Sequence, residues 1–236
     1  AVFNLGTLLV RGCLFLGNRA EPFGGAIYNE GGGTVLVYGS TFRGNHGHYG
    51  GGSIANVGTG SVVEIHTSSF VNEAARWSNG GSLLNDGGTM TVEGSTFVGC
   101  QTYFSCRYPT STWYGGALHA QGAESVTNIT RSTFERNYAA TGGGAVSFAD
   151  GATANIADAT FLNNTVDDHI FGDSTYDGPN TEGQVQYMAC YGQGNGGAVH
   201  VHGDGTDVAF SRCVFDGNRA GAHGRYDEGE GGGIYV

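Results

Sequence analysis

One pattern runs through the whole chain and constrains its fold more than any other feature. A glycine pair is followed by a small residue and then an aliphatic one, and further on a Phe stands three residues before a polar corner. Gly24-Gly25-Ala26-Ile27 with Phe42 and Asn45 is one copy. The Phe anchors are Phe15, Phe42, Phe70, Phe97, Phe134, Phe161 and Phe215, and the small residues are Ala1, Ala26, Ser53, Ser82, Ala117, Ala145, Ala198 and Gly233. They divide the chain into units 1–25, 26–52, 53–81, 82–116, 117–144, 145–197 and 198–232, with an eighth begun at 233–236. Self-similarity at a period of this size marks a solenoid, in which each unit contacts its neighbours and none is stable alone.

Alternation shows what each unit folds into. The residue after the small position is always aliphatic: Val2, Ile27, Ile54, Leu83, Leu118, Val146, Val199 and Ile234. Five residues before each Phe stand Val10, Val37, Ile65, Val92, Ile129, Ile156 and Phe210, and two before it Cys13, Ser40, Ser68, Ser95, Ser132, Ala159 and Cys213. Inward residues at period two, β-branched or aromatic and separated by Gly and Asn turns, specify strands. No segment carries a 3.6-residue stripe with helix caps. The expected fold is all-β: a single-stranded parallel β-helix of about seven coils and one domain, with three short strands per coil and insertions in coils four, six and seven. Coils stack about 4.8 Å apart, so like positions form columns.

The asparagines fit the same geometry. Asn18, Asn45, Asn137, Asn164 and Asn218 follow their Phe by three residues, with Glu73 and Cys100 as exceptions. A second set, Asn4, Asn29, Asn56 and Asn85, closes the first strand of coils one to four and gives way to Ala120, Phe148, Val201 and Val236. Stacked amides hydrogen-bond along the axis, so these read as ladders. The 45 glycines supply corners. They form no phosphate loop, since the chain has no Gly-x4-Gly-Lys-[Ser/Thr] motif and no Lys.

The paired motifs GGA[ILV] and FxxN resemble the repeats of chlamydial polymorphic outer-membrane proteins and related surface β-helix proteins. Gly24-Gly25-Ala26-Ile27, Gly115-Gly116-Ala117-Leu118, Gly143-Gly144-Ala145-Val146 and Gly196-Gly197-Ala198-Val199 carry the first motif. Phe15–Asn18, Phe42–Asn45, Phe134–Asn137, Phe161–Asn164 and Phe215–Asn218 carry the second. The resemblance implies a right-handed β-helix and a surface-exposed adhesive or structural passenger rather than an enzyme. No segment corresponds to the membrane barrel of an autotransporter, so a whole autotransporter is not expected. With no initiator Met or signal peptide and position 1 already in a strand-like pattern, the expectation is a mature product or a piece of something longer.

Composition narrows the function. A net charge of −11 at pH 7 opposes binding to nucleic acid phosphates. No apolar run approaches the length of a membrane helix, about 20 residues. Polysaccharide-cleaving β-helices place paired acids on an exposed strand face. Here the third position of the first strand, taken as exposed, reads Phe3, Tyr28, Ala55, Leu84, His119, Ser147, His200 and Tyr235, and the outward face of the second offers Glu64 alone among Leu9, Leu36, Thr91, Asn128, Asn155 and Ala209. Neither supplies the pair. A Tyr/Phe/His stripe could instead stack on carbohydrate or a host surface, the alternative of an adhesin.

Remaining candidates are local. Asp167, Asp168, Asp173 and Asp177, with Glu182, form the acidic insertion of coil six, a weak Ca²⁺ candidate that lacks EF-hand order. Asp227, Glu228 and Glu230 read as a second solvated acidic turn. The pairs His46/His48 and His200/His202 could approach a transition metal, though no third ligand is visible, and no metal is expected. Asn128-Ile129-Thr130 and Asn163-Asn164-Thr165 are N-glycosylation sequons. Cys100, Cys106 and Cys190 are disulfide candidates, with pairing open. Cys13 and Cys213 share one inward column at opposite ends. They are candidates for a junction between chains stacked head to tail, because neither end shows a cap. The expected function is thus a non-enzymatic extracellular or cell-surface structural protein, part of a fibre of homo-oligomerised β-helices bearing N-linked glycans.

Overall fold

The computed structural model describes residues 2–76, 78–102, 113–167, 195–221 and 231–236, with Asp167 in backbone only. Every strand pairs in parallel with its counterpart one coil away. The first sheet stacks eight strands from Val2–Asn4 to Ile234–Tyr235, and three further sheets stack seven each. Coil two illustrates the unit, with strands Ile27–Asn29, Thr34–Tyr38, Thr41–Arg43 and His46–Gly47. The described residues contain no helix. This is a parallel β-helix. It has four strands per coil where alternation predicts three. The fourth follows the corner and is typically two residues long, as in Ala74–Ala75 and Gln101–Thr102, too short to show a period.

The predicted columns are the core. Register aligns Phe15, Phe42, Phe70, Phe97, Phe134, Phe161 and Phe215, and their rings stack at 4.7–5.1 Å and 3–8°. Val37, Ile65, Val92 and Ile129 form a second buried column and Ile27, Ile54, Leu83 and Leu118 a third. In a parallel stack each large side chain sits on its homologue, so one favourable choice is reused in every layer.

The glycine pairs have two separate causes. The first Gly adopts left-handed backbone, φ +68° at Gly115. The second lies where two chain segments meet: a Cβ on Gly116 would stand 2.1 Å from the Gly144 carbonyl oxygen and 2.4 Å from that of Tyr138. The pair therefore lets the fourth strand close against the start of the first.

One expectation is overturned. The third position of the first strand is buried in the middle coils, at Ala55, Leu84, His119, Ser147 and His200. The segments that lead back to the glycine pairs cross this face. Gly50 lies over Leu84, where an added Cβ would be 2.8 Å from Cδ2, and the Tyr114 ring packs 5.1 Å from that of His200. The second sheet keeps an open outer face. Along it run the Arg11 guanidinium over Tyr38 (5.0 Å), Tyr38 stacked on His66 (4.9 Å) and His66 Nδ1 beside Glu93 (3.1 Å), with Arg131 on the same carboxylate.

Candidate functional site

The corner after each Phe holds a directional ladder. Asn137 donates its backbone N–H (3.0 Å) and Nδ2 (2.9 Å) to Asn164 Oδ1, and Asn164 repeats both bonds to Asn218 Oδ1. The same amides reach back to the Phe carbonyl one coil below, Asn137 to Phe97 O and Asn164 to Phe134 O. Between these corner asparagines the donation always runs toward the higher-numbered coil. Asn18 likewise donates to Asn45 Oδ1. The other ladder runs Asn4, Asn29, Asn56, Asn85 in the same direction at 2.7–2.9 Å, and closes where Asn85 Nδ2 donates to Ser125 Oγ and Thr127 Oγ1.

Glu73 and Cys100 interrupt the corner column and are compensated. Glu73 is buried, and its carboxylate accepts the Asn45 N–H (3.0 Å) and the Ser53 hydroxyl. Burial pushes its pKa up to about 7 although these bonds oppose the shift. Cys100 is also buried. Its thiol is raised far above the usual range by burial and by Glu73, and Sγ lies 3.7 Å from Phe70 O. The position after the glycine pair is Ser only in these two coils, Ser53 with Glu73 and Ser82 with Cys100, where the other complete coils have Ala. That covariation within one chain was legible, and the reading by columns missed it.

A second polar cluster sits under Tyr114 on the covered face. Its ring lies 6.1, 5.1 and 4.4 Å from those of His119, His200 and His202. His119 Nε2 meets Gln121 Oε1 at 3.0 Å, whereas His119 Nδ1, His200 Nδ1, His202 Nε2 and Ser147 Oγ are buried without a hydrogen-bond partner. Burial lowers the pKa of His119 to about 3 and of His200 to about 4, so both are neutral imidazoles. Among the described residues no three His, Cys, Asp or Glu side chains are arranged to hold a metal ion.

The other sequence candidates fall apart from one another. Asn163 is exposed at a corner with φ +53°. Asn128 points outward from the second sheet, half-buried, and its Oδ1 accepts from Asn155 Nδ2 at 3.4 Å. Cys13 is an exposed free thiol and Cys213 a half-buried one, at the two ends of the serine column. In that column Cys13 N–H donates to Ser40 Oγ and Ser40 N–H to Ser68 Oγ. Cys100 is a free thiol. Cys106, Cys190, Asp168, Asp173, Asp177, Glu182, Asp227, Glu228 and Glu230 lie outside the described residues, and of Asp167 the backbone alone is described.

These features define a parallel β-helix solenoid whose polar groups are mostly spent on neighbouring coils. Residues 12–30 and 212–236 match the Chlamydia polymorphic membrane protein repeat, and with the parallel strand repeats they fit a repeat protein of that type. The match suggests a surface or outer-membrane protein. No helix of the described residues is long and apolar enough to cross a membrane, which leaves β-barrels unaddressed. Searches of curated proteins and of solved structures returned no match.

Proposed function

We propose that this chain is a non-enzymatic structural segment of an extracellular surface fibre, built by head-to-tail stacking of β-helices. The observation that carries the reading is the state of the two ends. In the inward column Phe15 and Phe215 are only partly buried where Phe42, Phe70, Phe97, Phe134 and Phe161 are fully buried, and both belong to sheet edges with backbone groups open to a further strand. The corner ladder makes the ends complementary. Among the described residues, Asn18 Oδ1 accepts from no other Asn and the Asn218 amide donates to none. A second copy placed on top would continue Phe215 onto Phe15 and Asn218 onto Asn18, and bring Cys213 beside Cys13, provided that Ile234–Tyr235, which already fill an eighth layer of the first sheet, yield that place to the copy's Val2–Asn4.

Negative-stain electron microscopy with and without reductant tests this. Filaments with an axial repeat of roughly 34 Å, from about 4.8 Å per coil, are the expected result, loosened when the cysteines are reduced. Discrete particles indifferent to reductant would remove the fibre. Glycans are proposed at Asn163 and Asn128, supported by outward placement. Mass analysis of source material before and after enzymatic deglycosylation should place the lost mass on the peptides carrying them. Unmodified peptides at both positions would end that part of the reading.

A further inference from the structure

The outer face of the first sheet is covered in its middle coils but remains partly open near coils one and two, and there it is lined with aromatic rings. Tyr28 is the centre. Phe3 lies 5.5 Å and Phe23 5.8 Å from its ring, and Tyr49 is 6.3 Å from Phe23. Phe3 is 57% and Tyr49 51% exposed, so these rings are not core that strayed outward. The loop with Tyr49 is fixed in place, since Tyr49 N–H donates to Pro22 O at 2.7 Å.

Two properties separate this cluster from the Phe column. The first is orientation. Rings in the Phe column are nearly coplanar, at 3–8°, whereas these pairs are tilted by 38°, 40° and 56°. Tilted neighbours present no single flat platform, the surface on which a pyranose ring stacks best. The second is charge. The Tyr28 hydroxyl donates to Glu30 Oε2 at 2.5 Å. Burial together with the Glu30 and Asp86 carboxylates pushes the Tyr28 pKa up to about 12. The negative faces of the rings and the carboxylates behind them favour a cation.

We propose that Phe3, Phe23, Tyr28 and Tyr49, backed by Glu30, bind an alkylated ammonium group. Alkylation follows from the walls. A bare ammonium keeps its water unless several acceptors replace it together, and the ring faces that make up most of this wall offer none, with Glu30 bonded through Oε2 to the Tyr28 hydroxyl. An alkylated ammonium donates few or no hydrogen bonds and presents hydrocarbon to the rings while retaining its charge. Phe3 lies on the edge strand that end-to-end stacking would cover, so the site is tested on the unassembled protein.

The test is a titration with tetramethylammonium chloride, followed by saturation transfer to its methyl protons and by the tyrosine ring shifts. Saturable binding is expected, weakened by added sodium chloride and about two- to fivefold by Glu30→Gln. It is lost in Tyr28→Leu, whose circular dichroism and melting show whether it is folded. Should that variant fail to fold, Tyr49→Ser, at an exposed loop position, is expected to weaken binding several-fold. Ammonium chloride and methyl glucoside should give no saturable response. Absence of tetramethylammonium binding overturns the proposal, as does unchanged binding in folded Tyr28→Leu or in Tyr49→Ser. An equal response to ammonium overturns the alkylation. A response to the glucoside in place of the cation would make the patch a sugar platform.

Discussion

Glu73 stands where five other coils place Asn, and the exchange has a consequence that can be measured. Its folded pKa, about 7, lies above the usual 4.5, so the stability it contributes is complete below pH 4.5 and is lost as pH rises to 7. His119 and His200 act in the opposite sense. Their folded values, about 3 and about 4, lie below the usual 6.5, so the stability they contribute is present above pH 6.5 and lost as pH falls toward those values. Between pH 4.5 and 6.5 the unfolded chain binds two protons at the histidines and none at Glu73, and the folded chain binds one at Glu73. Stability therefore rises with pH across that window, and denaturant midpoints at pH 4.5, 5.5 and 6.5 should increase in that order. Glu73→Gln should steepen the rise and stabilise the protein at pH 8, by on the order of 3 kcal/mol at most. A wild-type midpoint that falls over the window would contradict the assignment.

At the scale of the element, the second glycine of each pair makes a prediction that separates packing from conformational freedom. An alanine at Gly116 would drive its methyl into two backbone carbonyl oxygens, one on Tyr138 in the fourth strand and one on Gly144 in the turn before Val146–Ala149. Gly116→Ala is expected to cost more than about 3 kcal/mol, in the range reserved for core disruption. Gly6→Ala, with nothing within 4 Å of its added Cβ and no positive φ, should change stability by less than about 0.5 kcal/mol. Chemical denaturation of the two variants makes the comparison. Equal losses would show that the glycines act through the unfolded chain instead. The pairing of Ser53 with Glu73 belongs to this scale too, because a hydroxyl from one corner meets the carboxylate at the next within a single coil.

The whole molecule is a one-dimensional stack, and its stability is a sum over neighbouring coils. Phe42, Phe70, Phe97, Phe134 and Phe161 are fully buried between two neighbours, whereas Phe15 and Phe215 at the ends are partly buried. Amide hydrogen exchange should accordingly be slowest in the strands of coils three to six and fastest in the first and last, as opening propagates inward from either edge. Assembly end to end would cover those edges, so protection gained in the terminal strands on filament formation gives an independent check on stacking. Uniform protection along the chain would speak against a stack that frays from its ends.

The repeat alone determined the class of fold, the columns and the register, because in a stacked helix residues one period apart are in contact and the sequence spacing is already a contact map. Both asparagine ladders were legible for the same reason. The fourth strand was not, since a pair of residues such as Arg19–Ala20 contains no alternation. Nor was the burial of His119, Ser147 and His200, or the gathering of Phe23 and Tyr49 around Tyr28. Those depend on where the segments between the corner and the next glycine pair cross the first sheet. These segments vary in length and share no period, so nothing in the sequence aligns them. What repeats could be read from the chain, while what covers the repeats was decided only when the chain was wound up.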